Sequence, residues 1–333
     1  MRVLVAGGAG FIGSAYVRHR LEAAPDGSVR VLDKLTYAGR RENLEGLPDD
    51  RVELGVGDVA DRDAVAAAVE GCDAIVNFAA ESHVDRSIHS PTEFIQTDVF
   101  GTLVLLEAAR DAGLRHVQVS TDEVYGSIDT GAFSEESALR PSSPYSASKA
   151  GADLITGAFH RTYQADALIV RASNTYGPRQ HPEKLIPLSI LNALAGDPLP
   201  LYGDGMQVRN WLFVEDCVAA IDRALGRGKA GEVYNVGGPA ELTNFEAVRR
   251  ILELTGRDES LLEHVEDRPG HDRRYSLSSD RARSELGWEP TVAFDEGLGR
   301  TVQWYRDNEW WWGPIRSGEY RTYYRRQYGR SLR

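Results

Sequence analysis

A short apolar run, Val3-Leu4-Val5, is followed at once by Gly7, Gly8, Gly10 and Gly13 and then by a helical pattern. This order of strand, glycine loop and helix constrains the chain more than any other feature. It predicts a parallel strand whose crossover helix starts at a tight turn of bare backbone. Apolar runs at 2–6, 29–33, 52–56, 74–78, 116–120 and 168–171 then alternate with longer stretches of helical spacing. Runs that are apolar on both faces and separated by helices predict a doubly wound α/β fold of Rossmann type, with a parallel sheet covered on both sides. Long helices are expected at 92–112, with Phe94, Val99, Leu103 and Leu106 near one face, and from about Ser146 to Tyr163. Both are candidates for core and for a dimer interface. Past Pro178 the alternation breaks into turns rich in Gly and Pro. The expected division is therefore 1–178 as the dinucleotide-binding domain, 179–315 as mainly a smaller substrate lobe with some chain able to return to the sheet, and 316–333 as a basic tail.

With 333 residues, 42% of them apolar, the chain can bury a large core without staples. Cys72 and Cys217 lie far apart and outside any C-x-x-C spacing, which suggests neither a disulfide framework nor a thiolate metal site and fits a reducing compartment. Neither a leader pattern nor an apolar stretch of membrane-spanning length is seen, so a soluble, cytoplasmic protein without a membrane partner is expected. A net charge of -12 disfavours a nucleic-acid partner. In the tail, Arg316, Arg321, Arg325, Arg326, Arg330 and Arg333 interleave with Tyr320, Tyr323, Tyr324 and Tyr328. That composition looks like an RNA-binding arm, but the favoured reading is a terminal segment lying on an acidic body. His83, His181 and His271 lack ligand spacing, and no metal is expected.

The glycine loop permits close approach of a pyrophosphate and anion binding at the helix N-terminus. Asp33 ends the second strand about twenty residues on, where a carboxylate accepts both ribose hydroxyls of an adenosine and repels a 2'-phosphate. NAD is thus the expected cofactor, although Lys34 could partly offset that repulsion. Asp58 stands either where an adenine edge is reached or simply at a strand-end turn.

Tyr145 and Lys149 are four apart in a helical pattern and share a face. An ammonium and a positive nicotinamide ring beside the phenol are expected to lower its pKa from ~10 toward 7, which takes roughly 4 kcal/mol of differential stabilisation. At the end of another strand come Thr121, Asp122 and Glu123. The two carboxylates are either a helix cap or a general acid and base at the edge where open sheets bind ligands.

Taken together, the strings at 33–39, 78–88, 121–123, 145–149, 182–187, 203–211 and 267–271 resemble the dTDP-glucose 4,6-dehydratase family of extended short-chain dehydrogenases, over about residues 2–312. The resemblance implies that Tyr145 removes the sugar O4 proton as C4 passes hydride to NAD, with Thr121 bonded to that oxygen. Glu123 then takes the C5 proton, Asp122 protonates the departing C6 hydroxyl, and hydride returns to C6. It implies NAD contacts at Gly7, Gly10, Phe11, Ile12, Gly13, Asp33, Lys34, Leu35, Thr36, Asp58, Val59, Phe78, Ala79, Ala80, Ser82, Thr97, Tyr145, Lys149 and Thr175. For dTDP-glucose it implies Ser82, Thr121, Asn174, Lys184, Leu185, Pro200, Tyr202, Arg209, Asn244, Asp267, Arg268 and His271, with Arg209 as the pyrophosphate clamp. A homodimer is implied as well. Three positions depart from the family pattern: Thr175 and Asp98 stand where asparagine is usual, and Ala6 replaces a threonine before the glycine loop. Of the rival enzymatic readings, a 4,6-dehydratase of another nucleotide hexose shares most of this apparatus, whereas a sugar-nucleotide 4-epimerase has no use for Asp122 and Glu123. A regulatory protein that senses NAD on the same fold has no use for Tyr145 and Lys149 either.

Overall fold

The computed structural model describes residues 1–329. Its strands are β1 (Arg2–Ala6), β2 (Ser28–Asp33), β3 (Val52–Val56), β4 (Ala74–Asn77), β5 (Arg115–Thr121), β6 (Ala167–Ala172), β7 (Asn174–Tyr176), β8 (Leu199–Tyr202), β9 (Val208–Phe213), β10 (Val233–Val236), β11 (Ala240–Thr243) and β12 (Leu262–Val265). Seven of them form one parallel sheet in the order β10-β6-β5-β4-β1-β2-β3. The sheet is apolar on both faces because helices cover both. Val3, Val5, Val31, Val76, Val117 and Val170 pack on one side with helices Phe11–Ala23 and Val214–Arg227. Leu4, Leu32 and Ile75 pack on the other with Val104 and Leu105 of helix Thr102–Ala112.

Parallel order brings the carboxyl ends of all the early strands to one edge, and the reversal between β1 and β4 opens a crevice there. In the pairing of β5 with β6, Thr121 stands opposite Ala172, so the Asp122–Tyr125 turn and the run from Ser173 to Thr175 leave the sheet side by side. A second core gathers Tyr176, Ile186, Ile190, Leu201, Trp211, Phe213, Ile251, Leu298 and Trp311. It holds together a three-stranded sheet (β11-β9-β7) and the β12-β8 pair, which form the lobe over the crevice.

Part of the stretch after 178 returns to the sheet, a course the sequence left open: helix Val214–Arg227 packs against Phe11–Ala23, β10 extends the main sheet beyond β6, and Ala282, Leu286 and Trp288 join the first core. The helix expected at 92–112 is interrupted by a π-helical turn, Ile95–Gly101, between Pro91–Phe94 and Thr102–Ala112. That wider turn carries Asp98 inward, where its carboxylate accepts bonds from the Glu81 N–H (3.0 Å) and the Ser148 hydroxyl (2.6 Å). The tail lies on the body of the protein as two helices. Helices Glu309–Ser317 and Glu319–Tyr328 pack into the lobe, with Tyr320 and Tyr324 buried against Leu188, because the tyrosines recur at helical spacing on one face. Arg330 and Arg333 lie outside the described residues.

Candidate active site

The crevice holds a cavity of about 380 Å³. All the expected site residues line it except Leu35, Asp122 and Asp267.

At the dinucleotide end the loop is fitted to bare backbone. Gly7 has φ +73°, and a Cβ there would lie 2.5 Å from the Ala79 nitrogen; a Cβ on Gly13 would lie 2.2 Å from the Gly7 carbonyl oxygen. Only glycine allows the first helical turn to approach the strand this closely. Asp33 accepts from the Ala9 N–H (2.9 Å) and the Leu35 N–H (2.8 Å), which fixes its carboxylate at the cavity wall with lone pairs to spare. Leu35 adopts φ 54° and its N–H is spent on Asp33, so its place is behind that carboxylate and not on the wall. Lys34 is paired with Asp58 at 2.7 Å, which leaves little cationic charge to offset Asp33 against a 2'-phosphate. After β4, Asn77 Oδ1 accepts from the Ala79 N–H (3.0 Å) and holds the turn that carries Ala79 and Ala80. These features fit an NAD molecule.

At the reacting edge, helix Pro144–Tyr163 starts from a capping box between Ser143 and Ser146, with Pro144 in its first turn. Tyr145 therefore sits in the first turn, edge-on to Phe94 (6.2 Å between ring centres), with Lys149 one turn later. Lys149 Nζ donates to the Val119 carbonyl at 2.8 Å, which ties the helix to β5. The Tyr145 phenol is pushed up well above its ordinary pKa by burial, then by the charges of Glu123, Asp98 and Asp122. The chain's own groups thus hold the proton on; the expected lowering invoked a positive nicotinamide ring beside the phenol as well.

The turn after β5 is held by Thr121, whose hydroxyl accepts from the Glu123 N–H (3.3 Å) and donates to Asp122 Oδ1 (3.2 Å). Glu123 lines the cavity, while Asp122 is fully buried behind it and its Oδ2 has no hydrogen-bond partner among the described residues. Burial, and secondarily Glu123, push the Asp122 carboxyl up to about 8. One carboxyl of the pair is thus kept protonated at neutral pH.

Toward the lobe the cavity turns cationic. Lys184 Nζ donates to the Ser82 carbonyl, and Arg209 lies over the Tyr275 ring (4.4 Å) with its fork on the Val208 (2.9 Å) and Asp272 (3.0 Å) carbonyls. Arg268 pairs with Asp85 at 3.4 Å. Asn174 Oδ1 and Asn244 Oδ1 are buried without a hydrogen bond among the described residues, and both side chains line the cavity. Asp267 stands one step back: its carboxylate meets His271 Nδ1 at 2.6 Å and accepts from Gln207 at 3.1 Å, so it orients the histidine that lines the wall.

As for the departures, Thr175 lines the cavity and its hydroxyl donates to the Ser173 carbonyl at 3.0 Å. Ala6 is fully buried at the end of β1, and Asp98 is raised to about 6 by burial. Sequence reasoning missed Glu81, Asp85 and Tyr328 as site residues. Glu81 and Asp85 stand in the quoted 78–88 string; Tyr328 could have been found from its spacing of four from Tyr324. Among the described residues no group of three or more His, Cys, Asp or Glu is arranged to hold a metal, and no helix is long and apolar enough to cross a membrane.

Comparison with known proteins agrees with this geometry. A family model for GDP-mannose 4,6 dehydratase matches residues 4–301. A dTDP-glucose 4,6-dehydratase of Streptomyces niveus is 52% identical over 328 residues, covering 97% of this chain and 98% of its own. The crystal structure of a dTDP-glucose 4,6-dehydratase from Streptomyces venezuelae with NAD and dTDP bound is 54% identical with a TM-score of 0.93, over 95% of this chain and all of that one. A UDP-glucose 4-epimerase of Thermotoga maritima shares the fold at 30% identity, with a TM-score of 0.86 over 92% of this chain and 99% of that one. The carboxylate pair beside the tyrosine and lysine, together with relatives of such identity over nearly the whole length, means that the chain belongs to the sugar-nucleotide 4,6-dehydratase family that includes the dTDP-glucose 4,6-dehydratases.

Proposed function

We propose that the protein converts dTDP-glucose to dTDP-4-keto-6-deoxyglucose and water in deoxysugar biosynthesis. The observation that carries this reading is the turn after β5, where a buried carboxyl held at about 8 stands next to a carboxylate that lines the cavity, at the same edge as Tyr145 and Lys149. A 4-epimerase needs no such pair.

NAD, when bound along the glycine loop, Asp33 and the Ala79-Ala80 turn, supplies the two-electron acceptor at sugar C4 and the donor at C6. The chain's own residues handle protons and charge. Tyr145 takes the O4 proton, with Thr121 bonded to the same oxygen and Lys149 supplying positive charge from the next helical turn. The ketone formed at C4 acidifies the C5 proton, which Glu123 removes. Asp122 passes its proton to the C6 hydroxyl, which leaves as water, and C5 afterwards regains a proton. Arg209, Arg268 and Lys184 hold the diphosphate, and Asn174 and Asn244 offer their free amide oxygens to the remaining polar groups.

Incubation with dTDP-glucose and catalytic NAD should give a product lighter by one water with no net NADH. Unchanged mass with inversion at C4 would make the enzyme an epimerase. No turnover on any nucleotide hexose would leave a binding protein.

We further infer a homodimer formed through the helices at 91–112 and 144–163, whose Ile95, Leu154 and Tyr163 are exposed. A single-chain mass by light scattering would refute it. Free thiols at Cys72 and Cys217 suit a cytoplasmic site of action, which cell fractionation checks.

A further inference from the structure

We propose that the C-terminal helix Glu319–Tyr328 closes the nucleotide end of the cavity, with Tyr328 presenting a ring face to the base and Gln327 fixing the Tyr202 hydroxyl. This rests on the reading of the site above and adds to it the residues that recognise the base.

Three observations carry the proposal. First, Tyr328 lines the cavity together with Pro200, Tyr202, Arg268 and His271. Its ring is tilted 39° against that of Tyr202 at 6.2 Å, and His271 meets Tyr202 edge-on at 6.1 Å. A nucleotide sugar asks for three chemistries in a row: groups that act on the hexose, cations for the diphosphate and an apolar slot for a flat base. Tyr145 and Glu123 answer the first and the arginines answer the second. The Tyr202, His271 and Tyr328 rings are the aromatic group adjoining those cations.

Second, the helix is locked in place. The Tyr320 hydroxyl donates to the Pro182 carbonyl at 2.9 Å, the Asn192 amide donates to the Tyr324 hydroxyl at 3.1 Å, and the Arg86 guanidinium lies 4.7 Å from the Tyr323 ring centre. Pro182 and Arg86 belong to segments flanking the cavity, so the helix grips the rim of the site.

Third, Gln327 Nε2 donates to the Tyr202 hydroxyl at 2.8 Å, and that hydroxyl in turn donates to Asp85 Oδ2 at 2.8 Å. Tyr202 is held from both sides, and Asp85 is the same carboxylate that pairs with Arg268. One hydrogen-bonded group therefore couples the ring at the base to a cation at the diphosphate. Gln327 is a positioning residue; Tyr328 is a contact residue.

The test uses the full-length protein with dTDP as probe, titrated calorimetrically into the wild type, Tyr328→Ala, Tyr328→Phe, Gln327→Ala and the exposed control Thr322→Ala, with NAD affinity and thermal midpoint measured for each. Stacking of a base on an aromatic ring predicts on the order of tenfold weaker dTDP binding for Tyr328→Ala. Thr322→Ala should stay near wild type, Tyr328→Phe, which keeps the ring but loses the hydroxyl bonded to Tyr202, should weaken binding less than Tyr328→Ala, and Gln327→Ala should weaken it a few-fold. NAD affinity should be unchanged in all, and steady-state kinetics should show the loss in KM with kcat preserved. Wild-type dTDP affinity in Tyr328→Ala would overturn the inference, as would a parallel loss of NAD affinity, which would mark a merely structural role. Failure of the wild type itself to bind dTDP would overturn the reading of the site, and the inference with it.

Discussion

Asp122 and Glu123 are neighbours in sequence, yet the chemistry asks one to give a proton and the other to take one. Full burial of Asp122, an oxygen with no protein donor and the adjacent Glu123 charge separate them, and they outweigh the opposing Arg209 and the Thr121 hydroxyl. Because the carboxyl is raised to about 8, the acid form persists through neutral pH, and kcat should fall as pH climbs past about 8. Asp122→Asn should lower kcat roughly 10²- to 10⁴-fold, with little pH dependence left on that limb; turnover close to wild type would remove the acid role. The same shift bears on stability. A native pKa above the unfolded one means that the fold binds the proton more tightly, so the stabilisation is fully present below the ordinary carboxylate pKa and is lost as pH rises through about 8. Asp122→Asn should thus gain thermal midpoint relative to wild type between pH 5 and pH 8, and a constant difference across that range would contradict the burial argument. Tyr145 poses the opposite problem, since three carboxylates and burial hold its proton on. Addition of NAD should bring a phenolate band near 295 nm into the neutral range in wild type and not in Tyr145→Phe. A titration indifferent to NAD would mean that some other group takes the O4 proton.

At the scale of elements, the N-terminus of helix Pro144–Tyr163 matters most, because Tyr145 stands in its first turn. Ser143→Ala removes the side chain that accepts from Ser146 N at 3.1 Å and should cost about 1 kcal/mol in chemical denaturation. Loss of the cap also frays the turn that aims the phenol, so kcat should fall several-fold while NAD affinity holds; unchanged kcat would show that packing on Phe94 alone sets the aim. This start was legible in the sequence to within two residues, as were the early strands, because continuous apolar runs and the glycine loop are local signals. The π-helical turn at 95–101 was not. It is set by bonds from Asp98 to Glu81 and Ser148, residues 17 and 50 positions away, which no local pattern encodes. The C-terminal segment was legible as lying on the body but not as helix, because alternating Tyr and Arg look like a basic arm by composition and only the spacing of Tyr320, Tyr324 and Tyr328 shows a buried face. In the site itself, residues that touch the cavity were largely legible from short strings, whereas Leu35, Asp122 and Asp267 stand behind the wall, a distinction that depends on backbone geometry.

For the whole molecule the two cores are joined by direct hydrogen bonds. The Trp311 indole from the lobe donates to Asn43 Oδ1 at 2.7 Å, and the Asn43 amide donates to the Ala9 carbonyl of the glycine loop, also at 2.7 Å. Arg40 reaches the Trp311 carbonyl at 2.7 Å, and the Val292 N–H of the second core donates at 2.9 Å to Asp216 Oδ2, in the helix that packs on the first. The return of β10 to the sheet adds a covalent path between the halves; the sequence left such a return open without naming the strand, because β10 pairs with a strand about sixty residues earlier. A division at 178 would allow two independent melting steps; the joined cores predict one. NAD at about a hundred times its dissociation constant should stabilise the native state by roughly 2.7 kcal/mol. For a chain of 333 residues the unfolding entropy makes that a rise of about 4 °C in the midpoint. Added dTDP should raise the same single transition further, since its site shares walls with both cores. Calorimetry decides the matter: two steps, of which NAD moves only the first and dTDP only the second, would mean that the lobe and the sheet fold separately and that the link from Trp311 through Asn43 to the glycine loop carries no cooperativity.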